Sequence, residues 1–332
     1  MVITGASGFL GRHLCKRFVE SGYHVRAIYR RSQAPEDLVH LVSQGLELLN
    51  LDLVTPEAAD LACRNMDIVL HSAALAYDWG PYDLFKQSNI DVTERLLNSA
   101  ERLGCSEFLF ISTAAVHGFG SHVDTTEEGP FYPLRYPYPI TKFIAEQQVL
   151  SRNRQGFRTV AIRPCNVYGP GDLTSTYAMY QNILSGLFGY IGSGNSYTCP
   201  IYIDDLCAGV HLVVESDKLG GEAIILSDGE KVCWREYTET MFAAVNSVKK
   251  PFSLPKPLAC TAARILTLGA NIIRSAQGPP LTRYRVEQGS THYHFSNEKA
   301  VKVLGFTPKV FYQEGLQLTA EAFLRDCKYI HS

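Results

Sequence analysis

The segment Thr4-Gly5-Ala6-Ser7-Gly8-Phe9-Leu10-Gly11 comes after the β-branched pair Val2-Ile3 and opens a helical pattern. A GxxGxxG turn between a strand and a helix restricts the fold more than any other feature of the chain. Gly5 permits the tight turn, Gly8 lets a pyrophosphate approach the backbone, and Gly11 lets the helix pack close to the sheet, while the helix N-terminal amides face the anion. The turn therefore predicts a dinucleotide-binding α/β fold. It starts so near Met1 that the first strand is shorter than the usual run of about five or six residues, and a few further N-terminal residues are expected.

The strand-then-helix order recurs beyond the turn. Short β-branched runs alternate with helical patterns, the signature of βαβ units and a parallel sheet. Strands are predicted at Val2–Thr4, His24–Tyr29, Leu46–Asn50, Ile68–His71, Glu107–Ser112 and Thr159–Arg163, with helices near Gly8–Ser21, Pro35–Gln44, Pro56–Cys63, Leu84–Leu103 and Tyr138–Asn153. This is a doubly wound, Rossmann-type α/β layout, with ligands at the carboxyl ends of the strands. After Pro164 the pattern loosens into Gly- and Pro-containing connections, a helix near Asp205–Val214 and a strand near Ala223–Leu226. The expected division is a dinucleotide-binding domain over 1–165 and a smaller C-terminal substrate-binding lobe over 166–332, with about 200–227 returning to the core.

Composition narrows the partners. With 332 residues, 46% of them hydrophobic and 19% charged, the chain can bury a large core. A net charge of -2 and a pI near 6.6 give no general attraction for nucleic acid, and a small molecule is the expected partner. The nine cysteines form no CxxC pair and are odd in number, which suggests neither a disulfide framework nor zinc; they read as small buried hydrophobes in a reducing, cytoplasmic setting. The apolar run Leu258–Ile273 is interrupted by Arg264 and too short to be a transmembrane segment. It reads as a lobe helix, with peripheral contact to a membrane or a greasy substrate as the second reading. His292 and His294 have metal-like spacing, but no third ligand is evident, so a surface strand is expected and no metal site.

Three features point to redox chemistry. The end of the second strand reads Ile28-Tyr29-Arg30-Arg31. An acid there would accept from a free ribose 2′-hydroxyl, whereas Arg30 suits a 2′-phosphate, so NADP is favoured over NAD; otherwise Arg30 and Arg31 are solvated loop charges. Tyr138-Pro-Ile-Thr-Lys142 puts a phenol and an ammonium one helical turn apart. A nearby lysine charge lowers a phenol's pKa and makes it a usable acid/base. Thr113 lies 25 residues before Tyr138 (138 − 113), just past the fifth strand.

With TGASGFLG at Thr4–Gly11, HSAA at His71–Ala74, STAAVHG at Ser112–Gly118, YPITK at Tyr138–Lys142 and RPCNVYGPG at Arg163–Gly171, the chain resembles the extended short-chain dehydrogenases/reductases of the NAD-dependent epimerase/dehydratase family along nearly its whole length. The resemblance implies that Tyr138 is the catalytic acid/base, that Lys142 holds the nicotinamide ribose and tunes Tyr138, and that Thr113 is the catalytic hydroxyl, with Ser112 its neighbouring alternative. His117 stands where the family has a tyrosine. Asn89 matches a helix asparagine that helps build the site; the plainer reading is a surface or capping residue. The implied cofactor contacts are Gly5, Ser7, Gly8, Phe9, Leu10, Gly11, Arg30, Asp52, Leu53, Ala73, Ala74, Tyr138, Lys142, Pro164 and Val167. Two exposed helices of this fold often form a homodimer face in the family.

Two branches of the family matter for substrate. One acts on nucleotide sugars and usually carries an arginine seven residues before the second aspartate of a VDD-like motif. Here Tyr202-Ile-Asp-Asp205 supplies the motif, and Thr198 occupies the arginine position. The C-terminal segments Gly278–Arg283, Phe295–Ala300 and Leu304–Pro308 instead resemble 3β-hydroxysteroid dehydrogenase-like proteins, and Tyr29-Arg30 the dihydroflavonol reductase-like type. The reading is an NAD(P)-dependent oxidoreductase of an apolar alcohol or ketone. The alternatives are a nucleotide-sugar epimerase or dehydratase, which would retain its cofactor with no net redox change, and a non-catalytic dinucleotide sensor, which has no need of the Tyr138/Lys142 pair.

Overall fold

The computed structural model describes residues 1–273, 275 and 278–330. Seven strands form one parallel sheet: β1 (Val2–Thr4), β2 (Val25–Tyr29), β3 (Leu46–Asn50), β4 (Ile68–His71), β5 (Glu107–Ile111), β6 (Arg158–Pro164) and β7 (Glu222–Leu226), in the order β7-β6-β5-β4-β1-β2-β3. Every residue of β1 is buried, because it pairs with Arg26–Ile28 on one side and Val69–His71 on the other. Burial on both faces explains why these strands read as apolar runs rather than as alternating patterns. The strand order reverses between β1 and β4, and such a switch point opens a crevice at the carboxyl ends of the strands.

The helices close both faces. α1 (Phe9–Glu20) buries Leu14, Cys15, Phe18 and Val19 against the sheet, while α2 (Pro56–Cys63), α3 (Val92–Arg102) and α4 (Pro137–Leu150) cover the opposite face through Ala59, Leu96, Leu97, Ala145 and Val149. β7 pairs with β6 from Glu222↔Val160 to Leu226↔Pro164, and the preceding helix α5 (Ile203–Glu215) buries Leu206, Val210 and Val213 in the same cluster as α1.

Further helices and short strands follow β7. α6 (Lys256–Ile272) packs Ala259 and Ala263 against Val286 of α7 (Arg283–Ser290). The strand Tyr293–Phe295 then pairs in parallel with His122–Thr125, which ties this part of the chain to the connection after β5. His294 is thus buried, not on a surface strand, and burial lowers its pKa. Its Nδ1 accepts from the Asp124 amide at 3.3 Å, and the His292 Nδ1 accepts from the Tyr197 amide at 3.2 Å.

Two further differences are local. The predicted Pro35–Gln44 helix is broken into Glu36–Val39 and a 3-10 turn at Val42–Gln44, ended by Gly45 at φ 100°. The predicted Leu84–Leu103 helix is helical throughout Tyr82–Arg102, but Lys86–Asp91 is wound as a π-helix. Eight cysteines are free thiols, and the Cys327 side chain lies outside the described residues.

Candidate active site

The glycine turn sits at the carboxyl end of β1, at the switch point. Gly5 has φ 70°, and a Cβ there would lie 2.8 Å from the Ala73 backbone, so only glycine fits between β1 and the end of β4. A Cβ on Gly11 would come within 2.1 Å of the Gly5 carbonyl oxygen. Gly8 is the N-cap of α1 and offers no side-chain cap, which leaves the first amides of the helix, at Phe9 and Leu10, to an outside acceptor. Ser7 lies beside them in the turn. These backbone features fit a dinucleotide pyrophosphate.

A buried relay holds the turn against β4. The Ala73 amide donates to Thr4 Oγ1 (3.1 Å), Thr4 Oγ1 bonds His71 Nδ1 (2.7 Å), His71 Nε2 bonds Thr93 Oγ1 (2.9 Å), and Thr93 donates to the Asn89 carbonyl (2.7 Å). Because Thr93 spends its proton on that carbonyl, it must accept from His71, which fixes the neutral Nε2–H tautomer. Burial and the Lys142 charge push the His71 pKa down to about 3, in keeping with that assignment. Sequence reasoning missed this relay, since its members lie far apart in the chain and no motif couples them.

Arg30 and Asp52 stand at the ends of β2 and β3, both exposed, with Arg30 Nη1 3.9 Å from Asp52 Oδ1. Asp52 Oδ1 also accepts from the Val54 amide (3.2 Å), and Leu53 beside it is buried. Ala73 and Ala74 follow β4, Pro164 closes β6, and Val167 lies just beyond. The expected cofactor residues thus gather along the carboxyl edge of the sheet from β3 to β6.

Tyr138 and Lys142 occupy one face of α4, one turn apart. The Thr113 Oγ1 accepts from the Ala115 amide (3.2 Å), leaving its proton for the Tyr138 oxygen. That bond draws the Tyr138 pKa down while burial, the larger effect, raises it. The buried Lys142 ammonium donates to the Ile111 carbonyl (2.6 Å) and lies 3.8 Å from the Phe110 ring centroid. Burial lowers its pKa to about 7, with Glu146 opposing.

Ser112 and Thr113 separate clearly. Ser112 is buried and donates to Glu146 Oε2 (2.6 Å), and Arg163 grips the same carboxylate through Nε (3.0 Å) and Nη2 (2.6 Å). Arg163 Nη1 reaches His117 Nε2 (3.0 Å) and the Glu127 carbonyl (2.9 Å). Since arginine can only donate, His117 carries its proton on Nδ1, and burial with the Arg163 charge takes its pKa down to about 3. This network props the floor beneath Thr113. Asn89 is also a buried girder: its Oδ1 accepts from the Leu75 amide (2.7 Å), and its Nδ2 donates to the Leu75 carbonyl (3.2 Å) and to Thr141 Oγ1 (3.0 Å). The extra residue of the π-turn carries it into this position.

An aromatic wall lies beside Tyr138. Phe119, Tyr136 and Tyr284 meet with ring centroids 4.8 to 5.9 Å apart, and Tyr284 and Tyr138 are close enough to act on each other electrostatically. At its rim Arg135 and Arg283 lie 3.7 and 3.9 Å from the same oxygen, Glu287 Oε1. Where the nucleotide-sugar branch has arginine, Thr198 is buried and accepts from Asn166 Nδ2 (2.8 Å), whose Oδ1 accepts from Gln288 Nε2 (3.2 Å). Asp205 is a structural anchor, accepting from the Lys309 and Val310 amides (3.0 and 2.8 Å).

Comparison with known proteins gives the family and the fold. Residues 1–226 match the NAD dependent epimerase/dehydratase family. The chain is 31% identical over 325 residues to a 2-alkyl-3-oxoalkanoate reductase of Stenotrophomonas maltophilia, covering 96% of this chain and 97% of that protein. It is 28% identical to a sterol-4-alpha-carboxylate 3-dehydrogenase, decarboxylating, of Dictyostelium discoideum, covering 95% and 98%. In fold it is similar to the UDP-glucuronic acid 4-epimerase of Bacillus cereus, solved in complex with NAD, with a TM-score of 0.76 at 23% identity over 98% of both chains.

Proposed function

Because the chain belongs to the NAD-dependent epimerase/dehydratase family, we propose that it is an oxidoreductase moving a hydride between a nicotinamide dinucleotide and an apolar alcohol or ketone, with NADP(H) preferred. The observation that carries this reading is the Thr113–Tyr138 pair, hydrogen-bonded at the carboxyl edge of the sheet between the glycine turn and an apolar aromatic wall. When bound, the dinucleotide supplies the hydride donor or acceptor. Everything else falls to the protein. Thr113, held by the Ala115 amide, orients a substrate oxygen; the Tyr138 hydroxyl gives that oxygen a proton in reduction, and the Tyr138 phenolate takes the proton back in oxidation. The raised pKa keeps Tyr138 protonated at neutral pH, which suits ketone reduction. Phe119, Tyr136 and Tyr284 exclude water from the reacting carbon.

The two relatives sharpen the substrate class. Both names describe a carboxylate one carbon removed from the oxygen-bearing carbon. Two guanidiniums converging on the single Glu287 carboxylate leave a net positive charge at the rim, which suits such an acid. The reading is a 3-oxo or 3-hydroxy acid with apolar substituents. A nucleotide diphosphate is disfavoured, because Thr198 is buried and bonded to Asn166 where an arginine would be needed.

The deciding experiment titrates NADPH and NADH, then assays 3-oxo acids against their decarboxylated ketones. NADPH should bind about ten times more tightly or better, through the charge-assisted contact of Arg30, and Tyr138→Phe should abolish turnover. Arg135→Ala should erase the preference for the acid while leaving the simple ketones unaffected. Tighter NADH binding refutes the role of Arg30, and full turnover in Tyr138→Phe refutes the chemistry.

A further inference from the structure

Lone exposed apolar side chains are ordinary on protein surfaces, but a contiguous exposed stripe is not. α6 carries one. Its inner face buries Ala259, Ala263 and Ala270, and Leu258, Ile265 and Ile272, each seven residues apart, stand on the outside with Leu268 and Ile273 beside them. Their exposures are 59%, 63%, 81%, 62% and 75%. Close to the N-terminal end of α6, Leu187, Val248 and Phe252 are exposed as well. No helix among the described residues is long and apolar enough to cross a membrane, so the stripe is a surface and not a span.

Charge identifies what covers it. Between Glu239 and Glu287 the sequence contains no acidic residue, whereas Lys249, Lys250, Lys256, Arg264, Arg274, Arg283 and Arg285 all fall within it, in a chain whose net charge is -2. Lys250 and Lys256 are exposed at the N-terminal end of α6, and Arg264 borders the stripe. Arg283 and Arg285 are paired with Glu287 and Asp78, but a second copy packed twofold on this face would set Lys250, Lys256 and Arg264 against their like. An anionic lipid surface neutralises them and also takes up the apolar stripe.

We propose that the outer face of α6 docks the protein peripherally on an anionic bilayer, with Leu258, Ile265, Leu268 and Ile272 entering the acyl boundary and Lys250, Lys256 and Arg264 contacting the headgroups. The arrangement places α7, whose Tyr284 forms part of the site wall, between the site and the bilayer-facing helix.

The full-length protein is sedimented with vesicles of phosphatidylcholine alone and of equimolar phosphatidylcholine and phosphatidylglycerol. Wild type is expected to partition onto the phosphatidylglycerol vesicles and to be released as salt rises. Ile265→Asp/Ile272→Asp and Lys250→Glu/Lys256→Glu should each weaken partitioning by about tenfold or more. These positions are exposed, so unchanged circular dichroism and unchanged NADPH binding report an intact fold. Three results overturn the proposal: wild type stays in the supernatant at low salt, it binds both vesicles equally, or the Ile265→Asp/Ile272→Asp variant changes oligomeric state while its vesicle binding is unaltered. Turnover of a short water-soluble ketone should be the same in wild type and both variants, which keeps this test separate from that of the chemistry.

Discussion

At the scale of single residues, the structure separates two adjacent hydroxyls that sequence leaves nearly equivalent. The Ser112 hydroxyl points into the Glu146–Arg163 pair, and that of Thr113 faces Tyr138. Removing Thr113 takes away a donor aimed at the reacting oxygen, so Thr113→Ala should lower kcat/KM on the order of 10²-fold with little change in thermal midpoint. Ser112→Ala deletes one of the bonds to a buried carboxylate that keeps both Arg163 contacts, so it should cost about 1–3 kcal/mol of stability and lower turnover by less than about tenfold. Steady-state kinetics with thermal melts on the two variants decide the matter. A reversed pattern would make Ser112 the substrate-facing group. The sequence made Thr113 and Tyr138 legible because they sit in local motifs. It could not show where Lys142 points, because the ammonium's choice of the Ile111 carbonyl depends on β5 lying beneath α4.

Elements whose pattern is purely local were legible to the residue: Leu46–Asn50, Ile68–His71 and Pro56–Cys63 lie where hydrophobic periodicity put them. Periodicity was silent where an element departs from its regular form. The π-turn at Lys86–Asp91 adds a residue to a helix without disturbing its apolar spacing enough to read, yet it aims Asn89 at Leu75 and Thr141. Tyr293–Phe295 reads as surface from its own residues because its cover, His122–Thr125, comes from far along the chain. The closest tolerance lies between α1 and its turn. Ala at Gly11 would drive a Cβ against backbone that cannot rotate away, so α1 must shift from the pyrophosphate position. Gly11→Ala should weaken NADPH binding by about 100-fold, measured by nucleotide fluorescence, and destabilise by about 1–3 kcal/mol. Gly22→Ala, at φ 85° in open space, should pay only in stability and leave binding intact. Equal affinity in wild type and Gly11→Ala would show that the helix N-terminus is not where the dinucleotide sits.

On the scale of the whole molecule, the site is a meeting of segments separated by more than a hundred residues, and its side chains are held at protonation states that water would not give them. Lys142 is the sharpest case: burial takes its pKa from the usual 10.5 down to about 7. Between those values the unfolded chain holds a proton that the folded protein has released, so folding becomes more favourable as pH rises through that window. His71 and His117, lowered from 6.5 to about 3, give the same sign at lower pH, stability being lost as pH falls below about 6.5. Asp228 works the opposite way, since burial raises it from 3.8 to about 8 and the folded protein there keeps a proton that the unfolded chain gives up. The total slope therefore mixes signs, and the Lys142 share must be read by difference. Lys142→Met should be more stable than wild type at pH 7, and the gap in urea midpoint should close as the pH is raised toward 10, because only wild type gains from shedding the buried charge. A gap that widens with pH would mean that the folded protein stabilises the ammonium, placing Lys142 in an ion pair and not in the apolar setting against Phe110 of β5.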